Sequence, residues 1–192
     1  MPVQPDRQMA WELLCRYNDS EALRRHALAV EGTMRHFARK LAEDEGKWGV
    51  IGLLHDLDYE KWPDQHCEKV VELMQAEDID PDYIHAVISH GWGLRVETAP
   101  EHVMEKVLYT IDELTGLINA AAIMRPSKSV MDLELKSVKK KYKDKKFAAG
   151  VNREVIEKGC ALLGMPLDDV IQETILGMRE VAGSIGLAGN EQ

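Results

Sequence analysis

The sequence predicts an all-α protein built as a helical bundle, and three observations lead to that fold class. Apolar residues recur at steps of three and four through almost every segment, which is the spacing of one helical face. Several segments begin at residues that cap helices and end at glycine or proline. Strand signals are sparse, so little of the chain is left for a sheet.

The N-terminal part predicts a helical extension over residues 1–19, followed by a long amphipathic helix. Asn18 and Glu21 are spaced as a capping box, which would open this second helix. Its apolar face is the stripe Leu23, Ala27, Val30, Met34, Phe37 and Leu41. His26 flanks the stripe, whereas His36 falls on the opposite side and is expected to face solvent.

Three shorter helices are predicted next. The first covers about residues 47–57 and ends where an apolar run is followed by His55 and Asp56. Pro63 would open the second as a first-turn proline, which places His66 in the first turn. The apolar stripe of this helix is Cys67, Val70, Val71 and Met74. A third helix begins at Asp80-Pro81 and is expected to end at His90-Gly91, because glycine favours the left-handed residue past a helix.

A long helix is predicted from a capping box of Thr98 and Glu101 to Arg125-Pro126. One apolar stripe on it is Val103, Val107, Ile111, Leu114, Ile118 and Ala121. A second stripe is Leu108, Thr115, Asn119 and Ala122, with Asp112 among its residues. A helix with two such faces is expected to be central and packed on both sides.

The remaining chain predicts three more helices. The first is basic, and its stripe is Met131, Leu135, Val138 and Tyr142. Two others cover about residues 152–163 and 167–181, separated by the sequence "GMP".

The charge of the chain is uneven. The 192 residues, enough for one domain, carry a net charge of −9, which argues against a general nucleic-acid binder. The segment 134–146 holds seven lysines and two acidic residues, a local charge of +5, so the remainder carries −14. A basic stretch on an acidic protein favours a local anionic partner over a long polyanion.

The three cysteines are widely spaced and odd in number, so no disulfide framework is expected. A reducing, cytoplasmic setting is the simplest interpretation. The N-terminal residues lack the apolar core of a signal peptide, and no apolar run approaches the ~18 residues of a membrane span. We therefore expect no membrane partner.

Histidine and aspartate side chains from several helices are predicted to point toward an interior. These are His26, His55, Asp56, His66, His90 and Asp112. Imidazole and carboxylate together suit a divalent transition metal. A metal would also explain why a polar pair directly follows a buried apolar run, since it would satisfy groups that are costly to bury. Lone histidines such as His36, His85 and His102 are expected to be structural or solvated.

The order His26, His55-Asp56, Asp112 resembles the H…HD…D signature of the HD superfamily of metal-dependent phosphohydrolases, which are all-helical. The resemblance covers about residues 20–124 and includes the stretches "LLHD" and "YTIDELTGLI". It implies an HD domain core over residues 20–125, with a C-terminal helical extension over 126–192 that contains the lysine-rich segment.

The resemblance implies that His26, His55, Asp56 and Asp112 bind one metal ion. Some members have two further histidines that hold a second ion, bridged by the HD aspartate, and His66 and His90 fall in those places. One or two divalent ions are expected, and the pattern does not distinguish Mn, Fe, Zn, Mg, Co and Ni. Many relatives continue "HDIGK", whereas this chain has "HDLDYEK", with Asp58 in place of the glycine and Lys61 further on.

The chemistry implied is hydrolysis of a phosphate ester or anhydride of a nucleotide or related small molecule by metal-bound water. Asp56 would serve as bridge and base, and His66 or His90, where not a ligand, would protonate the leaving group. There is no P-loop and no dinucleotide-binding glycine motif. The cations expected to hold substrate phosphates are Arg125, Lys128, Lys139 and Lys140.

Two other function classes stay open. One is a regulatory module that binds metal without turnover. The other is an RNA-binding adaptor that uses the lysine-rich segment, although nucleic acid is disfavoured by the overall charge. A homodimer is also left open.

Overall fold

The computed structural model describes residues 1–189, and within that range the chain forms nine α-helices and two 3-10 turns. The helices are α1 (Arg7–Tyr17), α2 (Glu21–Lys40), α3 (Glu45–Leu54), α4 (Lys69–Ala76), α5 (Pro81–Ile88), α6 (Val103–Ile123), α7 (Leu135–Lys143), α8 (Arg153–Leu163) and α9 (Leu167–Glu180). The 3-10 turns are Pro63–Gln65 and Ser89–Gly91. Residues 1–189 contain isolated bridges but no sheet, so the predicted all-α class is confirmed.

None of the helices in this described part of the chain combines the length and the apolar character that a membrane span requires.

Helix α6 is the central element, as its two apolar stripes predict. It packs against α2, α5, α7, α8 and α9. Its inward residues from both stripes are buried, among them Val107, Leu108, Ile111, Leu114 and Ala122. Neighbours therefore cover α6 on more than one side. Asp112 lies in the middle of this helix, and its side chain is 20% exposed.

Two glycines allow close helix contacts near the centre. A Cβ added to Gly52 on α3 would lie 3.0 Å from the Cα of Glu31 on α2. A Cβ on Gly159 of α8 would lie 2.1 Å from Oγ1 of Thr110 on α6. A larger residue at either place would force the helices apart. The contact at Gly52 keeps the end of α3, where His55 lies, close to α2.

Both predicted capping boxes are wrong. Ser20 caps α2, with its Oγ accepting from the N–H of Leu23 at 3.3 Å. Asn18 instead ends α1, and its buried amide donates to the carbonyl of Leu57 at 3.1 Å. Its backbone N–H still bonds within α1, so it belongs to the preceding helix.

Helix α6 begins later than predicted, at a capping box of His102 and Glu105 instead of Thr98 and Glu101. The reason is Pro100, because a proline disfavours the helical conformation in the residue before it. Ala99 therefore stays outside the helix, and the chain becomes helical only after His102.

Other predicted boundaries shift by a few residues. Helix α3 ends at Leu54 instead of about residue 57, and α5 ends at Ile88, before a 3-10 turn that contains His90. Gly91 is not left-handed as predicted; Gly93 is, with φ 76°. His66 follows a 3-10 turn and precedes α4, so it does not lie in a first helical turn.

The C-terminal helices are closer to the prediction. Helix α7 begins at Leu135, whereas Met131 is 51% exposed and lies outside it. The segment before α7 instead bonds to the chain that follows α9, since the N–H of Val130 donates to the carbonyl of Leu187 at 2.9 Å. Helices α8 and α9 agree with the predicted ranges to within one residue.

One hydrophobic core joins the described chain from α1 to Leu187. Ala10, Leu13 and Leu14 of α1 are buried in it, and so are Ile171, Ile175 and Met178 of α9. The division into a core and two extensions stays a prediction. Residues 190–192 of the predicted C-terminal extension lie outside the described range.

Candidate metal centre

A first cluster of ligand atoms forms where α2, α3 and α6 meet. His26 comes from α2, Asp112 from α6, and His55 and Asp56 directly follow α3. The Nε2 atom of His26 lies 3.2 Å from Nε2 of His55 and 2.9 Å from Oδ1 of Asp112. Oδ2 of Asp56 lies 3.2 Å from Nε2 of His55 and 3.5 Å from that of His26. We call these four residues the first cluster.

The spacing of the first cluster fits one metal ion. Ligands bound at ~2.1 Å lie about 3.0 Å apart in an octahedron and about 3.4 Å apart in a tetrahedron. The fifth distance, from Nε2 of His55 to Oδ1 of Asp112, is 3.3 Å. Nitrogen and carboxylate oxygen donors at these separations form a set that a divalent ion can accept.

A second cluster lies on the other side of Asp56. It consists of His66, Cys67 and His90, whose donor atoms all lie within 4.8 Å of one another. The Nε2 atoms of His66 and His90 are 3.1 Å apart. Oδ1 of Asp56 lies 3.4 Å from Nε2 of His66 and 3.5 Å from Nε2 of His90. One oxygen of Asp56 therefore faces each cluster.

Three of the imidazoles are held by an acceptor behind the ring. Nδ1 of His55 donates to the carbonyl of Gly52 at 2.7 Å, and Nδ1 of His90 donates to the carbonyl of Val87. Nδ1 of His66 donates to Oδ1 of Asp58 at 2.7 Å. A backbone carbonyl can only accept, so the bonds of His55 and His90 fix the proton on Nδ1, and the carboxyl oxygen of Asp58 favours the same tautomer of His66. In each ring the Nε2 lone pair is left for a metal.

Asp58 is the partner that distinguishes the second cluster. Its side chain is fully buried, and its second oxygen accepts from the N–H of Val70 at 2.9 Å. The family pattern "HDIGK" has glycine at this position and offers no carboxylate there. Asp58 is thus a buried carboxyl group that orients His66 from outside the ligand set.

The electrostatics of the centre favour positive charge. Burial alone would lower the pKa of His55, but Asp56 and Asp112 outweigh it and raise that pKa to about 10. Burial would also lower the pKa of His66, yet its hydrogen bond to Asp58 helps to raise it to about 9. Burial would raise the pKa of Asp56, but His55 and its other imidazole neighbours hold it well below the usual range. The same donors that attract protons are suited to a cation.

The second cluster also acts on Cys67. Burial would raise the pKa of its thiol, but His90 and His66 lower it to about 7. The Sγ atom is 3.8 Å from Nε2 of His90, and the residue is 1% exposed. Its spacing in the sequence predicts that Cys67 belongs to an apolar helical stripe. That prediction is wrong, because Cys67 lies before α4 and has a left-handed backbone with φ 70°.

A cavity of about 460 Å³ opens onto both clusters. Besides the ligand residues, its walls include Tyr59, Leu94, Arg95, Glu113 and Val151. Arg95 is exposed and makes no ion pair with any residue in the range 1–189. The sequence does not indicate the position of Arg95, because Arg95 lies in the irregular segment between Gly91 and α6, where no periodicity shows which way a side chain points.

The four predicted substrate cations lie elsewhere. Arg125 pairs with Asp132 at 3.2 Å, and Lys139 pairs with Asp168 at 2.7 Å. Lys140 is exposed on α7, and Lys128 lines a separate cleft beside His26. None of the four lines the cavity over the clusters. Their role in substrate binding stays a prediction.

The other histidines have structural partners. His36 does not face solvent as predicted, because α9 packs over it and its ring nitrogens lie 2.6 Å from Glu173 and 2.8 Å from Glu180. Nδ1 of His85 lies 2.8 Å from Glu105. His102 caps α6 through a bond from the N–H of Met104 at 3.1 Å. None of these three belongs to either cluster.

Comparison with known proteins gives one family. A family model described as the HD domain matches residues 23–140, which is more than half of the chain. This range contains every residue of both clusters. No curated protein and no solved structure matches the chain.

Proposed function

Because the chain belongs to the HD-domain family, we propose that it is a phosphohydrolase that uses one or two divalent metal ions. The observation that supports this most directly is the geometry of Asp56. One of its oxygens faces each cluster at 3.2–3.5 Å from the imidazole nitrogens. A carboxylate placed in this way can bridge two ions.

The residues present fit such a centre. His26, His55 and Asp112 would hold one ion with Asp56, and His66 and His90 would hold a second. A divalent ion in such a site supplies Lewis acidity and lowers the pKa of bound water toward ~7. Asp56 would hold the ions and accept a proton at its carboxylate. If only the first position is filled, His66 or His90 would be free to protonate the leaving group through Nε2.

The cavity suggests the class of substrate. Its volume of about 460 Å³ lies within the ~300–1,000 Å³ typical of small-molecule sites. Arg95 is the cation in its wall, and its side chain is available for a phosphate. We propose a small phosphorylated molecule, such as a nucleotide, whose phosphate lies over the clusters and contacts Arg95.

The three free cysteines also agree with a reducing setting, so we propose that the protein works in the cytoplasm. Localisation of a tagged full-length chain by microscopy or fractionation tests this part of the proposal. Recovery in a secreted or membrane fraction would contradict it.

The test of function is elemental analysis followed by a hydrolysis screen. The purified protein should contain divalent metal, and it should release phosphate from at least one member of a panel of nucleotides, dinucleotides and sugar phosphates. Chelation should abolish release, and added metal should restore it. Bound metal without turnover on any substrate would instead favour a regulatory module. Metal-independent RNA binding that weakens steeply with salt would favour the adaptor.

A further inference from the structure

The second cluster contains a donor that differs in kind from all the others. Cys67 offers sulfur, whereas the remaining donors in both clusters are imidazole nitrogens and carboxylate oxygens. Thiolate ligands favour zinc and related ions, while oxygen-rich sites suit magnesium and manganese. The two clusters therefore differ in the metals that they are suited to hold.

The distances around Cys67 match those of a shared ion. A tetrahedral ion with an N bond of ~2.05 Å and an S bond of ~2.3 Å holds these ligands about 3.6 Å apart. Sγ of Cys67 lies 3.8 Å from Nε2 of His90. Two nitrogens on the same ion would be about 3.3 Å apart, and Nε2 of His66 lies 3.1 Å from Nε2 of His90. Both separations agree with one ion to about 0.2 Å.

The backbone on both sides makes this approach possible. Side chains of adjacent residues diverge in regular structure, yet the donor atoms of His66 and Cys67 lie within 4.8 Å of each other and of the donor atom of His90. Cys67 has φ 70°, a conformation that non-glycine residues rarely adopt. Opposite it, a Cβ on Gly91 would lie 2.6 Å from Sγ, so a larger residue there would force the thiol to move from its place beside His90.

We propose that the thiolate of Cys67 is a ligand of the second metal position, beside His66 and His90, and that it makes this position select zinc or another thiophilic divalent ion over magnesium and manganese. The inference rests on the proposed function, since it assumes that the second position binds metal. Binding forms a metal–sulfur bond and releases the thiol proton to solvent. The first cluster, which has no sulfur, would not share this selectivity.

Cobalt substitution tests the inference directly. The full-length protein is freed of metal and loaded with two equivalents of Co(II), and its near-ultraviolet absorption is recorded. Thiolate ligation gives a sulfur-to-cobalt charge-transfer band that nitrogen and oxygen ligands do not give. We expect the band in the wild type and its loss in Cys67→Ser. The matched control is Cys160→Ser, which removes another buried thiol, on α8, and should keep the band.

A second variant keeps the test decisive if Cys67→Ser does not fold. The double variant Cys15→Ser/Cys160→Ser leaves Cys67 as the chain's sole thiol, and it should retain the full band. Zinc–manganese competition gives an independent measurement. In Cys67→Ser the preference for zinc at the second position should fall by more than the ~10- to 100-fold that loss of an outer-shell partner costs.

The outcomes separate the two proposals. Two bound cobalt ions without a charge-transfer band would overturn thiolate ligation and leave the proposed function standing. Unchanged zinc preference in a folded Cys67→Ser protein would do the same, and would mean that the thiol only fills space beside Gly91. A wild-type protein that binds no cobalt would overturn both.

Discussion

The two clusters share Asp56 but are built on different kinds of backbone. Two of the first cluster's ligands, His26 and Asp112, lie within the long helices α2 and α6. The second cluster lies on irregular chain, since His66 and Cys67 precede α4 and His90 lies in a 3-10 turn. The first is therefore fixed by packing of the bundle core. The second depends on local supports, namely Asp58, the left-handed turn at Cys67 and Gly91.

The residue common to both clusters gives the largest expected effect. Asp56→Ala should reduce bound metal to near zero, because it removes an anionic donor from each position at once. Elemental analysis of the purified variant measures this. His36→Ala is the control, since His36 contacts α9 and belongs to neither cluster; its metal content should equal that of the wild type. If the Asp56→Ala protein bound as much metal as the wild type, the ligand assignment would be wrong.

Removing a ligand of one cluster should separate the two. His90→Ala should lose the second ion and keep the first, because Nε2 of His90 lies beside Nε2 of His66 and Oδ1 of Asp56, whereas the first cluster faces Oδ2 of Asp56. The metal-to-chain ratio should fall from two to one under metal-replete conditions. A wild-type ratio that never exceeds one would leave only the mononuclear centre.

The difference between the clusters also explains how far the sequence was informative. Helical phase is enough to place His26 and Asp112 toward the interior, because the apolar period of a long helix indicates which side each of its residues faces. The predicted end of α3 is about three residues too late, yet it still places His55 and Asp56 at the end of a buried apolar helix, as the structure does. The family resemblance, more than spacing, suggested His66 and His90.

The features that were missed depend on tertiary contacts or rare backbone conformations. Cys67 followed the spacing of an apolar stripe, and nothing in the sequence indicates its positive φ or the space left by Gly91. Arg95 lies in irregular chain, so its direction depends on how the segment after His90 turns. Helical phase alone predicts that His36 faces solvent, and this is wrong because α9, more than 130 residues later in the chain, packs over it.

A support of the second cluster should have a smaller effect than a ligand. Asp58→Asn should weaken binding of the second ion by about 10- to 100-fold, since an amide no longer fixes the proton of His66 on Nδ1. The first ion should bind as in the wild type. Calorimetric titration of metal-free protein resolves the two affinities, and thermal unfolding checks that the buried substitution leaves the chain folded. Equal weakening of both ions would mean that Asp58 supports the whole bundle and not His66 in particular.

Arg95 extends the comparison from metal to substrate. Arg95→Gln should raise KM for the best substrate by about tenfold, because a charge-assisted hydrogen bond is worth roughly 1.5–3 kcal/mol before its exposure is considered. Metal content should not change. Arg125→Gln removes the same charge from a residue that pairs with Asp132 and does not line the cavity, so its KM should stay at the wild-type value. The reverse result would support Arg125 as the phosphate ligand.

The lysines of α7 give the smallest expected effect. Replacing Lys139, Lys140 and Lys141 together by Gln removes three charges from a basic segment of +5. Val138 and Tyr142 are buried on the other face of α7, and Lys139 pairs with Asp168 at 2.7 Å. Both observations fit a lysine face that is solvated and does not bind substrate. We therefore expect KM, measured at low salt, to be unchanged, and thermal stability to shift by no more than about 0.5 kcal/mol per residue. Low salt matters because exposed charges are screened beyond a Debye length of ~8 Å at physiological ionic strength.

A KM that rises in the triple variant, and rises less at higher salt, would place the substrate's phosphates on α7, as the sequence alone predicts for Lys139 and Lys140.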